Sequence, residues 1–296
     1  MAKFPLSPVA VIGLGAMGRH MAMNLARAGA AVRGYDLRPI ALSHDNIVVT
    51  QSAREALRGA AAVVTSLPDT PDVERALLGP GGAIEHLESG AIVIDTSTIS
   101  PQATRQMAER LAARGIALID APVSGGVKGA EAATLTIMAG GEEAVFARAR
   151  PVLEALGKTI NYFGPSGAGQ TVKLCNQIVC TMHIQAACEA FALAKANGVD
   201  LKKVRDALLG GAAGSWILQN HGPLMIEKDD TPHFRIDLQA KDLRLACELA
   251  ASSKVPLPGA NLVATLYYAA QAMGDGGRGN QSLYRVYDRL ANQGEK

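Results

Sequence analysis

The chain has 296 residues, of which 48% are apolar and 19% charged, with a formal net charge of +2. That length suits two domains, and that balance suits a globular protein with ample core rather than a disordered or fibrous one. A near-neutral charge without clustered basic residues, and an aromatic content of 4%, argue against a nucleic-acid surface. No apolar run reaches membrane-spanning length without charges or helix breakers.

Residues 1–8 hold no hydrophobic targeting core, and the chain then enters a short buried strand, Val9-Ala10-Val11-Ile12. Gly13-Leu14-Gly15-Ala16-Met17-Gly18 follows, then an apolar helix to Ala28, then a second strand from Ala31 to Tyr35 with Asp36 at its tip. This is G-x-G-x-x-G between strand and helix, with an acid about 20 residues on, the fingerprint of a dinucleotide site. Gly13 permits the tight turn, Gly15 lets the backbone approach a pyrophosphate, and Gly18 lets the helix pack close to the sheet. The residues from Gly13 through Leu14, Gly15, Ala16 and Met17 are therefore cofactor candidates. Asp36 suits ribose hydroxyls and repels a 2′-phosphate, which favours NAD. Arg38 nearby keeps NADP possible.

Further strand–helix units follow. Ile47-Val48-Val49 is a strand, and Ser52 caps a helix to Leu57. Strands at 61–67 and 91–95 end in Leu67-Pro68-Asp69 and in Asp95-Thr96-Ser97-Thr98, and Pro101 opens the next helix. Strand tips in a doubly wound sheet face the ligand crevice, so Leu67, Pro68, Asp72 and Thr98 are expected to line the cofactor. Each also reads as an ordinary turn or cap residue.

The strand at 116–119 leads into Asp120-Ala121-Pro122-Val123-Ser124-Gly125-Gly126. One hydroxyl beside two bare glycine N–H groups can hold a carboxylate, although a plain glycine turn reads the same way. Strands at 134–139 and 159–162 are expected to complete the sheet, with a helix over 142–155 between them.

Gly167-Ala168-Gly169-Gln170-Thr171-Val172-Lys173-Leu174-Cys175-Asn176-Gln177 opens a run to Asn197 with no proline and no further glycine. The pattern predicts one helix of about 30 residues, roughly 45 Å long, leaving one domain and forming the spine of another. Lys173 and Asn176 share a face of it. Lys173 lies near the positive end of the helix dipole, which disfavours its ammonium form and suits proton transfer. After Asn197 only helical patterns occur. The expected organisation is a Rossmann-type doubly wound α/β domain over 1–165, a long interdomain helix over 166–197 and an all-helical domain over 198–296. Cys175, Cys180, Cys188 and Cys247 lack metal-type spacing and read as buried reduced thiols, which points to a cytoplasmic protein. The histidines show no ligand spacing, so no metal is expected.

Four motifs in order resemble the β-hydroxyacid dehydrogenase family: the Gly13 loop, the Asp120–Gly126 stretch, the Gly167–Asn176 stretch and Phe234–Leu243. The resemblance covers nearly the whole chain. It implies Lys173 as the catalytic residue, Ser124, Gly125, Gly126 and Asn176 near the substrate, and Thr98 and Lys241 near the cofactor. Gln177, Gly214-Ser215 and Phe234–Leu238 resemble the tartronate semialdehyde (2-hydroxy-3-oxopropionate) reductase branch more than the 3-hydroxyisobutyrate or L-threonate dehydrogenases. Trp216 departs from that branch, and its indole is expected to narrow the substrate space.

The expected protein is an NAD(P)-dependent oxidoreductase of short 3-hydroxy acids and their semialdehydes. It takes a small carboxylate-bearing substrate, forms a homo-oligomer (dimer or tetramer), and binds neither nucleic acid nor membrane. A non-catalytic dinucleotide sensor would not need Lys173, Asn176 and the Ser124 loop together. An imine reductase on this scaffold would lack the lysine.

Overall fold

Short strands buried along their whole length set the frame of the first half. The computed structural model describes residues 4–291. Within it β1 (Val9–Ile12), β4 (Ala62–Thr65) and β5 (Ile92–Asp95) have every residue buried. Such continuous apolar runs belong in a parallel sheet covered on both faces. With β2 (Val32–Tyr35), β3 (Ile47–Val49) and β6 (Ala117–Asp120) they form one parallel sheet in the order β3-β2-β1-β4-β5-β6. This is the doubly wound order, with its switch point between β1 and β4.

The helices of this sheet are α1 (Gly18–Arg27), α2 (Ala53–Leu57), α3 (Thr70–Leu78), α4 (Ala83–His86) and α5 (Pro101–Ala112). Residues along β1 alternate between the two covers. Val9 and Val11 join the α1 core, whereas Ala10 and Ile12 join the core built on α2, α3 and α5. Ser52 caps α2 as expected, its hydroxyl accepting from the Glu55 N–H at 3.2 Å.

The strands at 134–139 and 159–162 do not complete this sheet. They belong to β8 (Leu135–Ala139) and β9 (Gly157–Tyr162), which make a separate sheet with the two-residue β7 (Val123–Ser124). β7 pairs antiparallel with β8, and β8 pairs parallel with β9. Pro122 lacks an N–H and ends the parallel ladder after Asp120, so the chain opens a new sheet. Between these strands run α6 (Gly126–Glu131), an element the sequence pattern does not predict, and α7 (Glu143–Leu156). Both α6 and α7 add to the α1 core.

The predicted long helix is a single element, α8 (Ala168–Ala196), of 29 residues. The chain divides into two compact units, Met1–Lys173 and Leu174–Lys296, so α8 runs through the boundary. The second unit is helical among its described residues. It contains α9 (Leu201–Leu209), α10 (Trp216–Asn220), α11 (Gly222–Ile226), α12 (Ile236–Ser252), α13 (Pro258–Ala272), a 3₁₀ turn at Asn280–Leu283 and α14 (Tyr284–Leu290). Its core gathers Ile184, Phe191, Leu243 and Tyr267. Asp230 and Asp275 pin the last turns. Asp230 accepts from Ser282 Oγ at 2.6 Å, and Asp275 takes the Nε of Arg278 at 2.7 Å and of Arg285 at 3.0 Å. No described helix is long and apolar enough to cross a membrane.

Candidate active site

Parallel register brings the strand ends into one row. Tyr35 pairs with Ile12, Ile12 with Thr65, Thr65 with Asp95, and Asp95 with Asp120. The loops that leave these ends therefore share one edge of the sheet. At the switch point Gly13 has φ +93°, and a Cβ there would strike Ser66 O and the Leu67 side chain. A Cβ at Gly18 would overlap Gly13 O. Both positions exclude any larger residue and fix the tight turn into α1, while Gly15 is open enough for the backbone to approach a dinucleotide pyrophosphate.

Leu14 is split in function. Its side chain is buried against Gly34, and its N–H donates to Asp36 Oδ2 at 2.8 Å. Arg38 N donates to Asp36 Oδ1 at 2.9 Å, and the Arg38 guanidinium lies 3.4 Å from the same oxygen. Burial pulls the Asp36 pKa upward, but these N–H groups and the guanidinium outweigh it and leave it below the usual carboxylate value. Asp36 thus stays ionised, with lone pairs to spare for ribose hydroxyls. Gly15 and Met17 are half-buried and Ala16 is exposed.

Leu67 N donates to Ser97 Oγ at 2.9 Å, which ties the β4 loop to the β5 loop. Pro68 is exposed and Thr98 half-buried at the crests of these loops. Asp72 sits in the first turn of α3, where Arg75 of the same helix holds its carboxylate at 3.4 Å. Asp95 is buried at the head of the β5 loop, and its Oδ1 accepts from Thr65 Oγ1 at 2.7 Å and Ser97 N at 3.1 Å. Burial pushes its pKa up to about 6, against the pull of Ser97 and Thr65.

The tip of β6 receives the start of α8. Asp120 Oδ1 accepts from Gly167 N at 2.8 Å and Oδ2 from Gln170 N at 3.0 Å. Gly169 must be glycine, because a Cβ would overlap Met138 O. Lys173 follows within the next turn and is only 7% exposed. Ser124 is half-buried on β7, and Gly125 and Gly126 are exposed, with φ of +129° and +62°. Nothing local in the sequence assigns a role to Asp120 or Gln170. Their signal was the same glycine spacing that singled out the stretch.

In the second unit Asn176 Nδ2 donates to Gln177 Oε1 at 2.9 Å, and Gln177 Nε2 to Asp242 Oδ2 at 2.5 Å. Asp242 Oδ1 lies 2.8 Å from Lys241 Nζ, so half-buried Asn176 and Lys241 join one polar chain through buried Gln177 and Asp242. Trp216 is 63% exposed, with its ring edge-on to His221. The reading of all four cysteines as buried needs correction. Only Cys188 is buried; Cys175 is exposed, and Cys180 and Cys247 lie between. Cys175, Cys180 and Cys188 lie on different sides of the long helix, which gives them different surroundings, and Cys247 lies on α12.

A doubly wound sheet with glycine-shaped loops and an ionised acid at the second strand tip defines a dinucleotide-binding protein. Residues 8–164 match the family described as the NAD binding domain of 6-phosphogluconate dehydrogenase. Residues 167–287 match the NAD-binding family of NADP-dependent 3-hydroxyisobutyrate dehydrogenase. The chain is 40% identical to the 2-hydroxy-3-oxopropionate reductase of Escherichia coli, over 95% of this chain and 97% of that one. It is 36% identical to a Pseudomonas aeruginosa 3-hydroxyisobutyrate dehydrogenase, over 88% and 91% of the two chains. The solved Mycobacterium tuberculosis 3-hydroxyisobutyrate dehydrogenase with L-serine superposes with a TM-score of 0.84 at 34% identity, covering 94% of this chain and 98% of that chain. The chain belongs to the β-hydroxyacid dehydrogenase family and is an NAD(P)-dependent hydroxyacid dehydrogenase.

Proposed function

We propose that the protein interconverts 2-hydroxy-3-oxopropionate and glycerate, with NAD preferred over NADP and Lys173 as the proton-transfer residue. The observation that carries the catalytic part is the placement of buried Lys173 just past a helix start that Asp120 fixes to the sheet edge bearing the cofactor loops. The substrate assignment draws on the identity to the reductase so named, and the cofactor preference on Asp36.

The loop from Gly13 to Met17, with Asp36, Leu67, Pro68 and Thr98, would hold the dinucleotide, and Lys241 is the cofactor residue that the family resemblance adds. When bound, the nicotinamide supplies the hydride donor or acceptor. Ser124 and the N–H groups of Gly125 and Gly126 would hold the substrate carboxylate by charge-assisted hydrogen bonds. As a free amine, Lys173 accepts the hydroxyl proton during oxidation; as an ammonium, it returns that proton to the aldehyde oxygen during reduction. Asn176, three residues along the same helix, would orient that oxygen or the lysine. Asp72, held by Arg75, would act at the rim through its helix. Exposed Val179, Leu193 and Leu262 favour a homo-oligomer, and the four free cysteines favour a reducing, cytoplasmic compartment.

The test is a panel of C3 and C4 hydroxy acids and semialdehydes, each assayed with NADH or NAD and with NADPH or NADP. The proposal expects the highest kcat/KM for 2-hydroxy-3-oxopropionate with NADH. A higher value for 3-hydroxyisobutyrate or L-threonate would move the substrate to that branch. Equal rates with a neutral amide analogue would remove the carboxylate site.

A further inference from the structure

We infer that Gln170 is a positioning residue for hydride transfer, because its buried amide fixes the Thr98 loop against the helix turn that carries Lys173. The inference rests on the reading of Thr98 and Lys173 given above.

Gln170 is fully buried. Its Nε2 donates to Ser97 O at 2.8 Å, and its Oε1 accepts from Ile99 N at 3.1 Å. The chemistry admits one orientation only, since a backbone carbonyl cannot donate and a backbone N–H cannot accept. The two bonds bracket Thr98 on either side. Ser97 is held as well, its N–H by Asp95 at 3.1 Å and its Oγ by the Leu67 N–H at 2.9 Å. Every backbone group around Thr98 that these bonds reach is locked, which leaves Thr98 half-buried at the crest. Meanwhile Gln170 N donates to Asp120 at the β6 tip. One residue thus joins the β5 loop, the end of β6 and α8. Lys173 lies three residues on, along the same helix face. A change in the length or direction of the Gln170 amide therefore moves the Thr98 loop relative to Lys173. Misplacement of reacting groups by about 1 Å can cost on the order of 100-fold in rate.

Two substitutions separate this role from plain core packing. Gln170→Met keeps the chain length and removes both bonds. Gln170→Glu restores one donor and one acceptor only when protonated; ionised, it sets a carboxylate against Ser97 O. Asp95 and Asp120 at the strand ends, Arg105 of α5 against Gly167, and Lys173 are the charged neighbours. They are common to both enzymes, so the ratio of variant to wild-type rate isolates the new group.

The measurement is single-turnover hydride transfer with NADH and deuterated NADH, using 2-hydroxy-3-oxopropionate or the panel substrate that the wild type turns over fastest. NADH binding is followed separately by fluorescence, and folding by thermal unfolding. Gln170→Met should lose roughly 10–100-fold in hydride transfer with a fully expressed isotope effect, while NADH affinity stays within about threefold. The Gln170→Glu to wild-type ratio should rise as the pH falls. A folded Gln170→Met enzyme within about twofold of wild type, or a Gln170→Glu ratio flat with pH, overturns the inference. If Gln170→Met does not fold, the Gln170→Glu ratio decides alone. Lys173→Ala is run in parallel. Loss there with full rate in the Gln170 variants sinks this inference only, whereas full rate in Lys173→Ala sinks the reading of Lys173 and this inference with it.

Discussion

Asp120 and Gln170 meet at the start of the long helix, where the Asp120 carboxylate accepts the Gln170 N–H at 3.0 Å while its other oxygen accepts from Gly167 at 2.8 Å. The buried Asp120 carboxyl therefore sits at the positive end of α8. Burial raises the Asp120 pKa, and the helix N–H groups pull the other way.

Asp120→Asn should weaken the first unit, because the amide nitrogen cannot accept from Gln170. Loss of a charge-assisted bond of this kind costs about 1.5–3 kcal/mol. Denaturant unfolding would register the loss, and kcat should fall with it. An unchanged midpoint and kcat would show that Asp120 does not hold the helix.

Gly169→Ala should be worse, since its Cβ has no room beside Met138 O and the Asp120 backbone. The helix start must shift, so both expression of folded protein and activity should drop. Normal thermal unfolding in this variant would contradict the packing described.

Lys173→Ala should lower the rate of the chemical step by about 10²–10⁴-fold, the usual range for general acid–base catalysis, with little change in NAD affinity. Lys173→Arg should not restore it, because arginine keeps its proton. Where cofactor release limits turnover, single-turnover rates replace kcat. A variant within about threefold of wild type in that step would remove Lys173 from the mechanism.

Asp36→Ala should erode the preference for NAD. It removes the carboxylate that would repel a 2′-phosphate and frees Arg38, which now lies 3.4 Å from it. The ratio of kcat/KM for NADH and NADPH tests this. A wild type favouring NADPH by about tenfold would invert the argument.

Asp95 makes stability depend on pH in a stated direction. Its folded pKa of about 6 exceeds the usual carboxylate value, so the folded state holds the proton more tightly. That contribution is complete below about pH 4 and is lost as the pH rises to about 6, up to roughly 3 kcal/mol. Asp95→Asn should flatten this part of the profile. Denaturant unfolding of both proteins between about pH 4 and 8 would show parallel curves if Asp95 were not the cause.

Much of the fold was legible because its signals are local. Gly13, Gly15 and Gly18 report a backbone path through their missing Cβ atoms, and Val9–Ile12 reports a buried strand through four consecutive apolar residues. The α8 run is legible because from Gln170 to Asn197 it lacks both glycine and proline. Pro122 was equally visible, yet its effect depends on which strand could still pair beyond it, and the second sheet was missed for that reason.

The sequence by itself determined most of the strands and helices (α6 excepted), the cofactor loop, the acid at Asp36 and the candidate lysine, because each rests on the chemistry of a few adjacent residues. Tertiary structure alone decided the partners. Gln170 reaches Ile99 and Ser97 across 71 and 73 positions, and Gln177 reaches Asp242 across 65. A side-chain amide carries no trace in the sequence of which distant backbone group it will meet. That pairing exists only once parallel register has set the strand ends side by side and burial has removed water as the alternative partner.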